Sequence, residues 1–138
     1  MPMITLQIAG APDEVLTQRL AEEVTRLTAE VLGKDPAVTA VAVEYLPRRQ
    51  WFIAGQPTEA LNRGAFFLEV RVTEGTNTKD EKGRYVREAF ARLNDLLGGV
   101  DPESYVHVNE VKADAYGYAG RTQERRYIEA RPVPGGAA

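Results

Sequence analysis

The sequence contains no cysteine and only one histidine, His107. Without cysteine the chain can form neither a disulfide nor a thiolate nucleophile, and it cannot offer a cysteine-ligated zinc site. A single histidine also excludes a metal site built from several histidines of one chain. We therefore predict that the chain holds no metal ion.

Long apolar runs and an excess of positive charge are also lacking. No apolar stretch approaches the roughly 20 residues that cross a bilayer, and the first residues lack the basic and apolar regions of a signal peptide. The net charge of the 138 residues is −3, with both signs interspersed, which is not the basic footprint of a nucleic-acid-binding protein. The composition therefore predicts one cytoplasmic globular domain, with neither membrane nor nucleic acid as a partner.

What the sequence does contain is the same order of elements twice. Each half has a run typical of a strand, then a helical pattern of apolar residues, then a second strand and a turn of aromatic residues and glycine. In the first half these segments are residues 2–8, 13–33, 38–45 and 51–55. In the second half they are residues 65–72, 78–97, 105–110 and 116–120.

The two halves also match at one constant separation in the sequence, the repeat offset. The glycines that define it pair as Gly10 with Gly75, Gly33 with Gly98, and Gly55 with Gly120. An internal duplication of this kind predicts an α/β (α+β) fold of two tandem β-α-β units, about residues 2–62 and 66–127. Right-handed crossovers would give a four-stranded sheet with two helices on one face. We predict a single domain over residues 1–127, followed by a tail over residues 128–138.

The other face of that sheet is predicted to be covered by neighbouring subunits. It would carry a mixture of apolar and charged side chains that is unsuited to full exposure. These side chains are Met3, Thr5, Gln7, Phe67, Glu69 and Arg71. A closed ring of three subunits would wrap such sheets into a barrel.

Pro2 is the residue that most suggests chemistry. Initiator methionine is normally removed when the next side chain is small, so the mature chain would begin with the secondary amine of Pro2. An α-amino group has a pKa of roughly 7.7–8.0, which burial or a nearby cation lowers toward neutral pH. Such an amine is suited to removing a proton from carbon next to a carbonyl group. If Met1 were retained, the Pro2 nitrogen would be an amide with no basicity.

A chain that begins Met1-Pro2 and continues as two β-α-β units, each ending in an aromatic-glycine hairpin, resembles the tautomerase superfamily. Residues 74–83 also resemble the start of the second helix in its cis-3-chloroacrylic acid dehalogenase branch. The resemblance implies a homotrimer without cofactor, in which Pro2 is the general base and acid. The implied reaction is keto-enol or double-bond isomerisation of a small carbonyl compound.

Superfamily members that act on 2-oxo acids hold the substrate carboxylate with arginines, and this sequence lacks arginine at the corresponding positions. In those members the positions correspond to Ala11-Pro12 and Ala42, and the arginines of the decarboxylase and dehalogenase members correspond to the turn of residues 75–77. We therefore expect a neutral or singly charged substrate rather than a dicarboxylate, because guanidinium groups bind carboxylates most strongly.

His107 is the second predicted catalytic residue. It is the partner of Ala42 at the repeat offset, on a strand position where superfamily members place a polar catalytic side chain. A neutral imidazole can donate to an enolate oxygen, whereas an imidazolium would keep Pro2 unprotonated by repulsion. The alternative is that His107 is a structural residue of the barrel.

Further residues are predicted to bind substrate, and each has a structural alternative. Thr76 and Asn77 are candidate donors, or they form the start of a helix that Thr78 caps. Arg71 is a candidate anion ligand, or it is paired with an acidic neighbour. Trp51 is a candidate apolar wall that lowers the pKa of Pro2, or it belongs to the core or an interface.

Two other functions are compatible with the sequence. A protonated Pro2 would act as a general acid in hydration, dehalogenation or decarboxylation of a three-carbon acid. Alternatively, the chain would be a trimeric binding module without catalysis, as the missing arginines suggest. The adjacent Arg48 and Arg49 are predicted to be solvated charge.

Overall fold

A computed structural model describes residues 2–131 of the chain. The strands are β1 Met3–Ala9, β2 Ala40–Leu46, β3 Phe52–Ile53, β4 Gln56–Pro57, β5 Ala65–Thr73, β6 Tyr105–Val111, β7 Gly117–Tyr118 and β8 Arg121–Thr122. The α-helices are α1 Glu14–Leu32, α2 Thr58–Leu61, α3 Lys79–Leu96 and α4 Gln123–Ala130. Both halves follow the predicted order of strand, helix, strand and hairpin.

The four long strands form one sheet in the order β2-β1-β5-β6. β1 runs parallel to β2 and β5 runs parallel to β6, whereas the central strands β1 and β5 are antiparallel. The two β-α-β units are therefore related by an approximate twofold rotation, which makes the opposite ends of the sheet equivalent. This arrangement confirms the predicted fold class.

The core lies between one face of this sheet and the helices α1 and α3. Its buried side chains alternate along the strands and recur at helical spacing along the helices. They include Ile4, Leu6 and Ile8 of β1, Phe66, Leu68 and Val70 of β5, Leu20, Val24 and Leu27 of α1, and Tyr85, Ala89 and Leu93 of α3. Burial of these apolar side chains is the main favourable contribution to folding.

A polar contact crosses this core. The hydroxyl oxygens of Thr28 and Tyr85 lie 2.8 Å apart, and Thr28 is also 2.7 Å from the carbonyl oxygen of Val24, to which it donates. Burial raises the pKa of Tyr85 to about 12. The contact joins α1 of the first unit to α3 of the second and satisfies both buried hydroxyls.

The two long helices begin where predicted, at residues whose side chains cap them. The carboxylate of Asp13 accepts a hydrogen bond from the amide of Leu16 at 3.0 Å. Thr78 and Glu81 form a capping box, in which each side chain accepts from the amide of the other residue. Caps of this kind stabilise a helix start by about 1 kcal/mol. The predicted cap at Thr78 is confirmed.

Each unit has a hairpin with the same turn after its second long strand, followed by a short helix, α2 or α4. The two turn residues have φ values of 52° and 77° in Ala54 and Gly55, and of 53° and 77° in Ala119 and Gly120. Two successive positive φ values are typical of the type I′ turn, whose twist matches that of antiparallel strands. The repeated turn supports the duplication.

The repeat offset holds from the helices onward, but it does not hold for the first strands. Ala9 of β1 pairs with Leu46, and Thr73 of β5 pairs with Val111. Leu46 and Val111 are separated by the repeat offset, but Ala9 and Thr73 are one residue closer together in the sequence. Gly10 therefore corresponds to Glu74, and its predicted pairing with Gly75 is wrong. The physical reason is one extra residue in the second unit, in the turn between the strand and the helix.

The helix α4 ends at Ala130, beyond residue 127 at which the domain is predicted to end. The division into a domain over residues 1–127 and a tail over residues 128–138 stays a prediction, and residues 132–138 lie outside the described residues. Within residues 2–131, no helix has both the length and the apolar character needed to cross a membrane.

Candidate active site at Pro2

Pro2 is buried at the start of β1, one of the two inner strands of the sheet. Its carbonyl accepts a hydrogen bond from the amide of Ala40 in β2 at 3.1 Å. On the other side, the register that pairs Met3 with Arg71 brings Pro2 beside the end of β5. Neighbouring strands therefore hold Pro2 on both sides and largely exclude water from it.

The hydroxyl of Tyr116 lies close to Pro2, in a chain of hydrogen bonds. It accepts from the amide of Met3 at 2.8 Å and donates to the carbonyl of Arg71 at 3.2 Å. Tyr116 is partly buried and immediately precedes β7, the first strand of the second hairpin. Tyr116 is not among the residues predicted from the sequence. The sequence feature that could have indicated it is that Tyr116 is the counterpart of Trp51 at the repeat offset.

The sheet face opposite the helices carries a group of polar side chains. A carboxylate oxygen of Glu69 lies 2.5 Å from the guanidinium of Arg71, which also donates to the hydroxyl of Thr5 at 3.4 Å. Nδ1 of His107 lies 3.4 Å from the other carboxylate oxygen of Glu69, and the His107 side chain is 52% exposed. The structure therefore brings His107 and Arg71 together around one carboxylate, which balances the charge of Arg71.

The predicted donors Thr76 and Asn77 lie in the turn between β5 and α3, at the same end of the sheet as Pro2. The Thr76 hydroxyl accepts from Nζ of Lys34 at 2.8 Å, and burial lowers the pKa of Lys34. The Asn77 amide donates to the carbonyl of Leu32 at 2.9 Å. Both side chains thus fasten the turn to the end of α1.

Glu110 of β6 holds the same turn from its other side. Its carboxylate accepts from the amide of Gly75 at 3.4 Å and pairs with Nζ of Lys82 at 2.7 Å. The hydrogen bond from Lys82 lowers the pKa of Glu110. The turn beside Pro2 is therefore fixed between α1, α3 and β6.

Trp51 does not approach Pro2 within one chain. It follows β2 and opens the first hairpin, whereas Pro2 precedes β1, which runs parallel to β2. The seven residues of β1 separate these two ends of the sheet, a distance of about 20 Å at the usual rise of a strand. Tyr116, from the second hairpin, occupies the equivalent position beside Pro2.

Two groups at this end of the sheet are suited to proton transfer, the buried proline and the tyrosine hydroxyl. The imidazole of His107, paired with Glu69, lies further along the sheet, level with Thr5 of β1. An amine in apolar surroundings has a lowered pKa, which makes it a better base near neutral pH. Among residues 2–131, no group of three or more histidine or acidic side chains is placed to hold a metal ion.

The sequence of the first unit matches known proteins. The family model described as "Tautomerase enzyme" matches residues 2–61. A probable tautomerase from Xylella fastidiosa (strain 9a5c) is 37% identical over 51 residues, which make up 37% of this chain. The chain spans 62% of the length of that relative.

Solved structures match over both units. A fused 4-OT, described as an asymmetric trimer, superposes with a TM-score of 0.80 over 91% of this chain and 98% of its own, at 15% identity. A member of the cis-3-chloroacrylic acid dehalogenase family gives a TM-score of 0.75 over 94% of this chain and 92% of its own, at 18% identity. At these identities the likeness concerns the fold. The resemblance of the chain to the tautomerase superfamily is therefore confirmed, by sequence in the first unit and by fold over both.

Proposed function

We propose that the chain is a cofactor-independent tautomerase in which Pro2 transfers the proton. The observation that carries this proposal is the burial of Pro2 at the end of an inner strand, within the segment that matches the family. Removal of Met1 would leave the secondary amine at a buried residue, where desolvation favours its neutral form. A neutral amine near pH 7 is the state that a general base needs.

In the proposed reaction, the Pro2 nitrogen removes a proton from the carbon next to a carbonyl, which gives an enolate and a prolinium ion. The prolinium then returns the proton to another atom of the same substrate. The amine is regenerated, and no co-reactant is consumed. Donors near the developing oxyanion lower the barrier.

Two groups are proposed as these donors. The Tyr116 hydroxyl accepts from the amide of Met3, the residue that follows Pro2, and would donate to the oxyanion by releasing the carbonyl of Arg71. Nδ1 of His107 faces Glu69 at 3.4 Å, so the imidazole would donate to an oxyanion from Nε2 only when both ring nitrogens carry a proton, because a single proton would lie on Nδ1, toward the carboxylate. Because the Thr76 hydroxyl and the Asn77 amide nitrogen form hydrogen bonds within the fold, we assign both residues to the wall of the site.

We propose a homotrimer as the active assembly. The sheet face opposite the helices carries Met3 and Phe67, which are only partly buried in the single chain, and neighbouring subunits would cover them. The fused 4-OT of similar fold is a trimer. Trp51 would reach a Pro2 pocket only from another subunit, and Arg71 would bind substrate only by releasing Glu69. A cytoplasmic location stays a prediction.

The test is the ketonisation of phenylenolpyruvate, followed by its ultraviolet absorbance, in two variants at position 2. Pro2→Ala keeps a small residue, so Met1 is still removed and a primary amine replaces the secondary amine. Pro2→Leu retains Met1, so the nitrogen at position 2 is an amide. We expect partial activity in Pro2→Ala and a loss of at least about 100-fold in Pro2→Leu, the contribution typical of a general base.

Pro102→Ala, at an exposed proline far along the chain, is the control and should keep full activity. Wild-type activity in Pro2→Leu, with intact mass showing that Met1 is present, would refute the role of Pro2. A wild-type protein without ketonisation, whose Pro2 alkylation rises only well above pH 7, would favour the general-acid reactions. Absence of both properties would leave a non-catalytic binding module.

A further inference from the structure

A second cleft lies at the end of the sheet opposite to Pro2. It has a volume of about 700 Å³, and its lining includes Gly10, Pro12, Tyr45, Arg48, Arg49 and Glu59. The approximate twofold rotation relates this end of the sheet to the end that holds Pro2. By the strand register, the counterpart of Pro2 here is Phe66.

Phe66 cannot take the role proposed for Pro2. Its nitrogen is a backbone amide inside the chain, and its N–H donates to Oγ of Ser104 at 3.2 Å. Its ring is fully buried and packs against Phe90, with ring centroids 5.7 Å apart. The second end of the sheet therefore retains a cleft without the candidate base.

Arg48 and Arg49 give this cleft its charge. Arg48 is partly buried and Arg49 is exposed. Nη2 of Arg48 lies 3.7 Å from the position that a Cβ on Gly64 would take, so the guanidinium lies over the start of β5. Within residues 2–131, neither guanidinium has a hydrogen-bond or ion-pair partner. The prediction of plain solvated charge does not account for a partly buried arginine in a cleft whose guanidinium has no partner among the described residues.

We propose that this cleft binds a small organic anion that has one carboxylate and an apolar body. Two guanidinium groups face a single acidic side chain, Glu59, so positive charge is in excess, and guanidinium groups bind carboxylates with paired hydrogen bonds. The rings of Pro12 and Tyr45 offer an apolar wall. The Tyr45 hydroxyl is held at 2.6 Å from that of Thr17, which fixes its ring.

The ligand is bound there and not transformed, because the cleft lacks the amine. The proposal does not rest on the role of Pro2. The two arginines instead make the second cleft a separate carboxylate site. The Pro2 end has no equivalent of them, because the counterparts of Arg48-Arg49 in the second unit are Ala113-Asp114.

Calorimetric titration with phenylacetate tests this proposal, and phenylacetamide is the matched neutral probe. We expect one phenylacetate bound per chain and binding of the amide weaker by about tenfold or more, because hydrogen bonds to a charged group are the stronger ones. The double variant Arg48→Gln, Arg49→Gln should lose a similar factor in affinity for phenylacetate. Arg87→Gln, which removes an exposed arginine of α3, is the control and should bind like the wild type.

The same titration on Pro2→Leu separates this site from the site at Pro2. Unchanged affinity for phenylacetate supports the second cleft, whether or not Pro2 is catalytic. Lost binding in Pro2→Leu would mean that the anion occupies the Pro2 pocket, which would overturn the proposal. Equal affinity for the two probes, or wild-type affinity in the double variant, would also overturn it.

The single variant Arg49→Gln provides a test if the double variant does not fold. Because Arg49 is exposed, its replacement should leave the fold intact and weaken phenylacetate binding severalfold.

Discussion

The two ends of the sheet share a backbone arrangement and differ in their side chains. At one end the first strand of its unit starts with Pro2, and at the other the equivalent strand position is Phe66. Arg48-Arg49 follows β2 at the Phe66 end, whereas the equivalent Ala113-Asp114 follows β6 at the Pro2 end. The candidate base and the unpaired guanidinium groups therefore lie at opposite ends. The duplication preserved the geometry of both ends while their chemistry diverged.

The turn and the hairpin at the Pro2 end also form side-chain hydrogen bonds that depend on residues found only at that end. The turn at the Pro2 end has one extra residue, and its Thr76 and Asn77 reach across to Lys34 and Leu32 at the end of α1. The aromatic residue at the start of the hairpin is a tyrosine at the Pro2 end and a tryptophan at the other. Only the tyrosine has a hydroxyl, and that hydroxyl joins β1 to β5 through two backbone groups.

Among changes that test the difference between the two ends, Tyr116→Phe is expected to have the largest effect on stability. It leaves the amide of Met3 and the carbonyl of Arg71 without their partner in a partly buried place, which costs about 2 kcal/mol. The melting temperature should fall by about 5 °C, and alkylation of Pro2 should slow severalfold. Tyr118→Phe, on the same hairpin, is the control. Equal melting temperatures of the two variants would refute the assigned hydrogen-bond chain.

Ala113→Arg tests whether the two ends are equivalent in function. It places a guanidinium at the Pro2 end, at the position that Arg48 holds at the other end. We expect KM for phenylenolpyruvate to fall by about tenfold with little change in kcat, because the carboxylate is bound alike in the ground state and the transition state. Steady-state kinetics measure it, with Arg87→Ala, at an exposed position of α3, as the control that leaves KM unchanged. An unchanged KM in Ala113→Arg would show that the two ends are not equivalent in binding a carboxylate.

Tyr85→Phe weakens the contact that joins the two units through their helices. The lost hydrogen bond to Thr28 should lower the free energy of unfolding by about 1 kcal/mol, as measured by urea denaturation. Thr28→Val in the same background should then cost less than it does in the wild type, since the two hydroxyls share one bond. Additive losses would show that the hydroxyls act independently.

Glu23→Gln is the smallest predicted change and depends on pH. Hydrogen bonds from Arg26 and Arg92 lower the pKa of Glu23 to about 2, and Arg92 belongs to α3 of the other unit. A lowered pKa in the folded state stabilises the fold above the unfolded pKa, about 4.3, and this contribution is lost as pH falls toward 2. We expect a deficit of up to about 1 kcal/mol at pH 7 that shrinks below pH 4. A deficit independent of pH would contradict the ion pair.

Local features of the fold were predictable from the sequence, because they depend on near neighbours. The cap at Thr78 follows from a residue three positions further along the chain, and the alternation from Met3 onward follows from the period of a strand. The pairing of Gly10 with Gly75 failed because a constant separation cannot show where a single residue is inserted. Only the strand register reveals it.

The candidate site depends on contacts between distant residues, which periodicity does not report. Tyr116 reaches Met3 across 113 positions of sequence, and the choice between Tyr116 and Trp51 depends on the antiparallel pairing of β1 with β5. The burial of Pro2 likewise depends on the strands at its sides. The roles of Pro2, His107 and Arg71 stay predictions that kinetics must test.

The most direct test of the central claim is the intact mass of the purified protein before and after exposure to 3-bromopropiolate. We predict a chain that lacks Met1 and gains a single adduct, which peptide mapping assigns to Pro2, faster than a model peptide with an amino-terminal proline. A chain that retains Met1, or a free Pro2 that reacts no faster than the peptide, would contradict the account of a reactive proline at this end of the sheet.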